Sequence, residues 1–213
     1  LFMKFYLSSY RLGNEIQKLK KLLPKNKRVA LVTNAADAYS DTKLTKTKEA
    51  ETKKMLSTVG FEVEKLDLRN YFGKKEILRK KIKGFGSIWV KGGNCFVLRQ
   101  AMKLSGFDEI LISLLKTDMV YGGSSAGVCV LAPSLKGIHL VDQVNVKPYK
   151  SKKTIWEGLG ILDYAVVPHY RSDHKESKDV EKVVQYYIDN KILFRVLRDG
   201  DVIIIEQYHH TQK

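Results

Sequence analysis

Apolar positions along the chain follow two alternating rhythms. Short runs at Lys4 to Ser8, Arg28 to Thr33, Phe61 to Leu66 and Ser87 to Val90 are β-branched or alternate apolar with charged residues, and they read as strands. Between them, Glu15 to Leu23, Lys43 to Thr58 and Lys75 to Ile82 carry apolar residues at helical spacing. Asn34 to Asp41 is a small polar loop. Further on, Cys95 to Lys103 and Asp108 to Lys116 read as helices, Met119 to Tyr121 as a strand, and Val128 to Ala132 as the next helix. Strand and helix alternating at this interval predict βαβ crossovers. The fold class is therefore α/β, in three α/β/α layers with a mostly parallel central sheet. In such sheets the working site lies at the carboxyl ends of the strands. Both glycine-rich turns, at Gly92 and Gly122, fall at such ends.

The second half is less regular. Pro133 to Lys153 reads as a loop with one hairpin, Gly160 to Val167 as a strand, and Glu176 to Asn190 as a helix. Leu193 to Leu197 and Val202 to Glu206 flank Arg198-Asp199-Gly200-Asp201, an Asp-Gly turn of the hairpin type. No repeat, linker or low-complexity tract interrupts the 213 residues, and residues 1–213 are expected to form one domain.

Composition narrows the function classes. Hydrophobic residues make up 44% of the chain, which suits a packed globular protein. No run approaches the ~18 apolar residues of a membrane span. The opening Leu1-Phe2-Met3-Lys4-Phe5-Tyr6-Leu7 turns polar too early for a secretory signal, and Met3 is a candidate native start. Two cysteines, Cys95 and Cys129, could form one bridge but make no disulfide framework, so a cytoplasmic location is expected. Lys and Arg total 38 against 23 Asp and Glu, a net charge of +15. Three of the four lysine runs coincide with predicted amphipathic helices, where they form the solvated face. With no nucleic-acid-binding motif beside them, neither a nucleic acid nor a membrane is an expected partner.

Candidate chemistry centres on Gly123-Ser124-Ser125-Ala126-Gly127, which fits G-x-S-x-G between a strand and a helix. That is the grammar of a nucleophile elbow, with Ser125 on a sharp turn. Its flanking glycines would give the turn backbone freedom and leave room for a carbonyl. Cys129, inside the helix, reads as a packed small side chain. A serine hydroxyl needs a base, and the base needs an orienting group. Of five histidines, His209 and His210 sit in a polar tail, His139 in the irregular loop, and His174 at the start of a charged helix. His169 differs, because it follows Val166-Val167-Pro168 where a buried run emerges. For the acid, Asp199 and Asp142 remain alternatives, with Asp199 favoured for its place beyond a strand end. The amides of Gly93 and Ala126 are the candidate oxyanion donors. Asn94 also reads as the N-cap of the helix that follows it.

Gly92-Gly93-Asn94 after a strand, the serine motif with Pro133 downstream, Pro168-His169-Tyr170, and Leu197-Arg198-Asp199-Gly200 before a final strand occur in one order. In this the chain resembles the peptidase E (aspartyl dipeptidase) family of serine peptidases, related to cyanophycinase. The resemblance spans nearly the whole chain and implies a class I glutamine amidotransferase-like fold. It also implies Ser125 as nucleophile, His169 as base, and Gly93 and Ala126 as oxyanion donors. Asp199 matches a position that is often Glu in the family, and Asp142 falls near another acid proposed for the relay. The family often has three glycines before Asn; here Lys91 replaces the first, which bears on substrate preference. Recognition of an acidic side chain would call for a cation, and Arg171 and Lys91 are candidates, with Asn94 a further candidate substrate contact.

The expected activity is hydrolysis of dipeptides or short peptides, with an N-terminal acidic residue as a candidate preference. It proceeds through an acyl-enzyme and uses no metal or organic cofactor. An α/β-hydrolase esterase and a catalytically silent binding domain on the same scaffold are the rival readings. Monomer and homodimer both remain open.

Overall fold

The computed structural model describes residues 2–149 and 153–206. His209 and His210, read above as tail residues, lie outside the described residues, as does Leu1. Strands β1 (Lys4–Ser8), β2 (Arg28–Val32), β3 (Glu62–Lys65), β4 (Ser87–Val90) and β5 (Val120–Ser124) pair in parallel, in the order β3-β2-β4-β5-β1. A further strand, β8 (Val202–Ile205), closes the sheet by running antiparallel to β1. Two short strands, β6 (Ala165–Val167) and β7 (Phe194–Val196), make a separate parallel pair.

Alternation along the strands divides the apolar residues between two faces. Phe5, Leu7, Ile88, Val90 and Tyr121 belong to one buried cluster. Tyr6, Val29, Leu31, Trp89 and Val120 belong to the other. Helices α1 (Ile16–Leu22) and α2 (Thr42–Val59) cover the second face through Leu19, Leu22, Leu56 and Val59. Helices α3 (Lys75–Ile82), α4 (Cys95–Ser105), α5 (Phe107–Ser113), α6 (Ala126–Cys129) and α7 (Ser177–Asp189) all contribute to the first. The predicted α/β/α layering is what forms. The lysines of α1 and α2 point away from these clusters, as a solvated face requires.

Several boundaries differ from the sequence reading. The fifth strand continues through both glycines to Ser124, because Gly122 and Gly123 pair in register with Trp89 and Val90. The helix after it begins at Ala126 and is only 4 residues long. Residues 34–38, read as loop, form a 3₁₀ turn. The expected strand from Gly160 shrinks to Ala165–Val167. Among the described residues the loop from Pro133 holds an isolated bridge, Ser134 to Glu157, and a 3₁₀ turn at Ile138–Leu140 in place of a hairpin.

The correction with most consequence concerns Asp199. Its turn does not close a hairpin, since β7 pairs with β6 and β8 pairs with β1. The Asp-Gly segment crosses from the small sheet to the large one, and that crossing carries the carboxylate to the site.

Candidate active site

Strands β4, β5 and β1 end side by side, with Val90 opposite Gly123 and Ser8 opposite Ser124. The residues that follow, Gly92, Ser125 and Ser9, therefore share one rim of the sheet. Ser125 adopts φ 49° and ψ −113°, an unusual conformation for a residue with a Cβ, costing about 1–3 kcal/mol. Its amide donates to the Ser8 carbonyl at 3.2 Å, and its own carbonyl accepts from Val128 and Cys129. The strain thus sits on the serine itself. Neighbouring glycines serve close approach instead: a Cβ on Gly127 would overlap the Val90 carbonyl oxygen, and one on Gly92 would stand 2.9 Å from Ser125 Cβ.

His169 lies beyond β6 and is buried, also with positive φ, 62°. Its Nε2 is 3.1 Å from Ser125 Oγ, and its Nδ1 is 2.7 Å from Asp199 Oδ1. Three side chains from three distant segments thus form one continuous chain of hydrogen bonds. Ser9 holds the assembly from below: its Oγ accepts from the His169 amide at 2.9 Å and donates to Asp199 Oδ1 at 2.9 Å. The Ser172 hydroxyl accepts from the Asp199 amide at 2.7 Å. Neither Ser9 nor Ser172 was singled out from the sequence. Ser9 carried a signal, since it follows the carboxyl end of the first strand, where a site is expected.

His174, placed by its sequence at the start of a charged helix, lies ahead of α7 instead. Its ring stacks on His169 with centroids 3.7 Å apart and planes 9° apart, while Tyr10 meets both imidazoles edge-on. Burial, and then the nearby His169, push the affinity of His174 for protons below the ordinary histidine range. A neutral ring is the one that can lie so close to another imidazole.

Asp142 hydrogen-bonds elsewhere. Its Oδ2 accepts the Cys95 amide at 2.7 Å, at the start of α4. Burial raises its pKa to about 6, against the Cys95 bonds that lower it and alongside repulsion from Glu176, with Lys175 opposing. The folded carboxyl holds its proton more tightly than the unfolded one at 3.8. Stability therefore rises as pH falls through about 6 and levels off below the unfolded value. Asp142→Asn should remove this gain, so that between about pH 7 and pH 5 the parent's unfolding free energy from urea titrations rises by ~1 kcal/mol relative to the variant's. Parallel pH profiles for the two proteins would contradict it.

Asn94 and Arg171 both have partners within the protein. Asn94 Oδ1 caps α4 through the Val97 amide at 3.0 Å, and its Nδ2 donates to the Gln143 carbonyl at 2.9 Å. Its amide group is thereby committed within the fold. Arg171 is 69% exposed, pairs with Glu181 at 3.1 Å and lies over the Tyr170 ring. Cys95 and Cys129 are both free and buried. Contact with Cys129, then burial, raises the Cys95 thiol well above its ordinary range, which makes it a poor nucleophile.

A cavity of about 440 Å³ opens onto Ser125 and His169. Gly92, Gly93 and Lys91 line one part, Tyr39 and Met55 another. Gly93 has φ 151°, and a Cβ there would stand 2.5 Å from the Ala35 carbonyl oxygen. Lys91 forms no ion pair among the described residues. Burial, followed by repulsion from Lys48, pulls its ammonium below the ordinary lysine range. A cation held this way gains from any anion that enters.

Residues 8–212 match the profile of peptidase family S51. The chain belongs to peptidase family S51. By that membership the S51 protein is a serine-type peptidase. It is similar to an uncharacterized peptidase of Listeria monocytogenes, 27% identical over 158 residues, covering 71% of each chain. It is also similar to peptidase E of Streptomyces coelicolor, 30% identical over 125 residues, covering 56% of this chain and 49% of that one. Among solved structures, a candidate peptidase E of Listeria monocytogenes EGD-e superposes with TM-score 0.75 at 21% identity, covering 96% of this chain and 98% of that one. A peptidase from an acI-B1 Actinobacterium gives TM-score 0.69 at 14% identity, covering 96% and 83%. The S51 fold is the class I glutamine amidotransferase-like one. The term nucleophile elbow belongs to the α/β-hydrolase sheet, which this is not, so Ser125 is described by its torsions alone. Among the described residues no helix is long and apolar enough to cross a membrane.

Proposed function

We propose that this protein hydrolyses dipeptides or short peptides, with Ser125 as nucleophile, His169 as general base and acid, and Asp199 as the orienting carboxylate. The observation that carries the reading is the unbroken line from Ser125 Oγ through the His169 ring to Asp199 Oδ1, at 3.1 and 2.7 Å. Asp199 fixes the proton on Nδ1 and leaves the Nε2 lone pair facing the hydroxyl. As Oγ attacks the carbonyl carbon, its proton moves to Nε2, and the imidazolium formed is stabilised by the carboxylate beside it. The same proton then goes to the departing amine. Water repeats the sequence on the acyl-enzyme and frees the acid product.

The Gly93 and Ala126 amides are the donors for the oxyanion. Ala126 follows Ser125 directly, and Gly93 lines the cavity one residue beyond the glycine packed on Ser125. Neither amide has an acceptor among the described residues, as donors awaiting a developing charge should. Two buried free thiols suit a reducing, cytoplasmic setting.

Lys91 supports a preference for a substrate carboxylate, the N-terminal acidic side chain being the favoured source. Lys91→Met should raise KM for Asp-X dipeptides about tenfold relative to Ala-X, a loss of roughly 1.4 kcal/mol in discrimination. Steady-state kinetics on a panel varying only the first residue decides the matter. Equal effects on acidic and neutral substrates would remove Lys91 from specificity.

A further inference from the structure

We propose that His169, His174 and Glu176 form a binding site for a zinc-like divalent cation, and that the bound ion switches the peptidase off. The inhibitory consequence rests on reading His169 as the catalytic base; the binding does not.

One donor atom from each of the three residues lies within 4.8 Å of the other two. Tetrahedral zinc with ligands at about 2.0–2.2 Å spans donors a little over 3 Å apart, so small side-chain rotations close the set. The arrangement is already biased toward that closure. Asp199 holds His169 Nδ1 at 2.7 Å, which leaves Nε2 with its lone pair toward the cavity. A carboxylate behind a ligating histidine is the support that metal sites use to fix ring orientation. Stacking at 3.7 Å keeps His174 alongside, and swinging its ring out of the stack turns its in-plane lone pair toward an ion held by His169. Glu176, two residues on, adds an anionic oxygen. Two imidazoles and one carboxylate, with a fourth position left to water, make a donor set suited to zinc.

All three residues line the cavity, so a hydrated ion has an entry path. Two existing hydrogen bonds would yield. Ser125 Oγ lies 3.1 Å from His169 Nε2, and the Glu176 amide donates to His174 Nδ1 at 3.3 Å. Both are toward the long end of the hydrogen-bond range and give way at little cost. Lys175 approaches Glu176 at 4.0 Å, but it is 77% exposed and can swing into water. The remaining charges facing the cavity are mixed: Arg11, Lys48 and Lys91 against Asp41 and Glu51. Metal on Nε2 would occupy the lone pair that must accept the serine proton, and hydrolysis would stop.

The test separates binding from catalysis. Zinc chloride titrated calorimetrically into the Ser125→Ala protein should show one ion per chain, since this variant keeps all three donors. His174→Gln and Glu176→Gln, each made in that background, should weaken binding by roughly tenfold or more. His139→Gln, remote from the cluster, should not. In the parent enzyme zinc should inhibit dipeptide hydrolysis and a chelator should restore it. Absence of binding, or binding unchanged in both Gln variants, would overturn the site. A bound ion in a protein without any peptidase activity would support the site and sink the peptidase reading instead.

Discussion

Ser125→Ala should leave a folded protein whose turnover of any dipeptide has fallen by about 10⁴-fold or more. The size of the effect follows from the geometry. Ser125 Oγ stands 3.1 Å from the only ring nitrogen of His169 not held by Asp199. Among the described residues no other hydroxyl is bonded to that nitrogen: Ser124, its neighbour, accepts instead from the Gly92 amide at 3.3 Å. Alanine keeps the Cβ and so meets the same backbone constraint, which confines the loss to chemistry. Thermal unfolding should change little, while labelling by a serine-directed phosphonate should vanish. Retained hydrolysis would refute the assignment. Failure of the parent protein to take the label would favour a silent binding domain.

Asp199→Ala should lower kcat by about 10⁴-fold at saturating dipeptide. Without the carboxylate the His169 ring loses its orienting bond, the preference for a proton on Nδ1, and the stabilisation of its charged form. Asp142→Asn should keep kcat within roughly threefold of the parent, because that side chain caps α4 through the Cys95 amide. The contrast between the two variants decides which acid serves His169. Similar losses in both would mean that the crossing at Asp199 is not what arms the histidine.

Much of the fold is legible in the amino-acid sequence. Alternating periodicity located β1, α3 and β4 to the residue, because each is bounded by residues that break the pattern sharply. Ser125 and His169 stand out for a common reason: each follows a short buried run, one in the large sheet and one in the small sheet. Less visible was anything decided by pairing at long range. An Asp-Gly dipeptide between two apolar runs has the local chemistry of a hairpin whichever strands those runs join. Only the competition between β1 and β7 for partners sends β8 to the large sheet. His174 was missed because the charged residues around it suit a solvated stretch, while its own position is set by stacking on a ring fixed elsewhere. The surroundings of Asn94 and Arg171 are not legible from identity alone. One is bound by its cap and the other faces water, two outcomes that charge and spacing cannot distinguish.

The crossing from the small sheet to the large one has a temporal meaning as well. Ser125 is synthesised well before Asp199, and Asp199 reaches His169 through the register that sets Val167 beside Val196 in the small sheet. On the proposed mechanism, a nascent chain that ends before Asp199 carries its serine and its histidine with no carboxylate behind them. Activity would then arrive only with the last part of the fold to be made, and would lapse again wherever β7 comes away from β6.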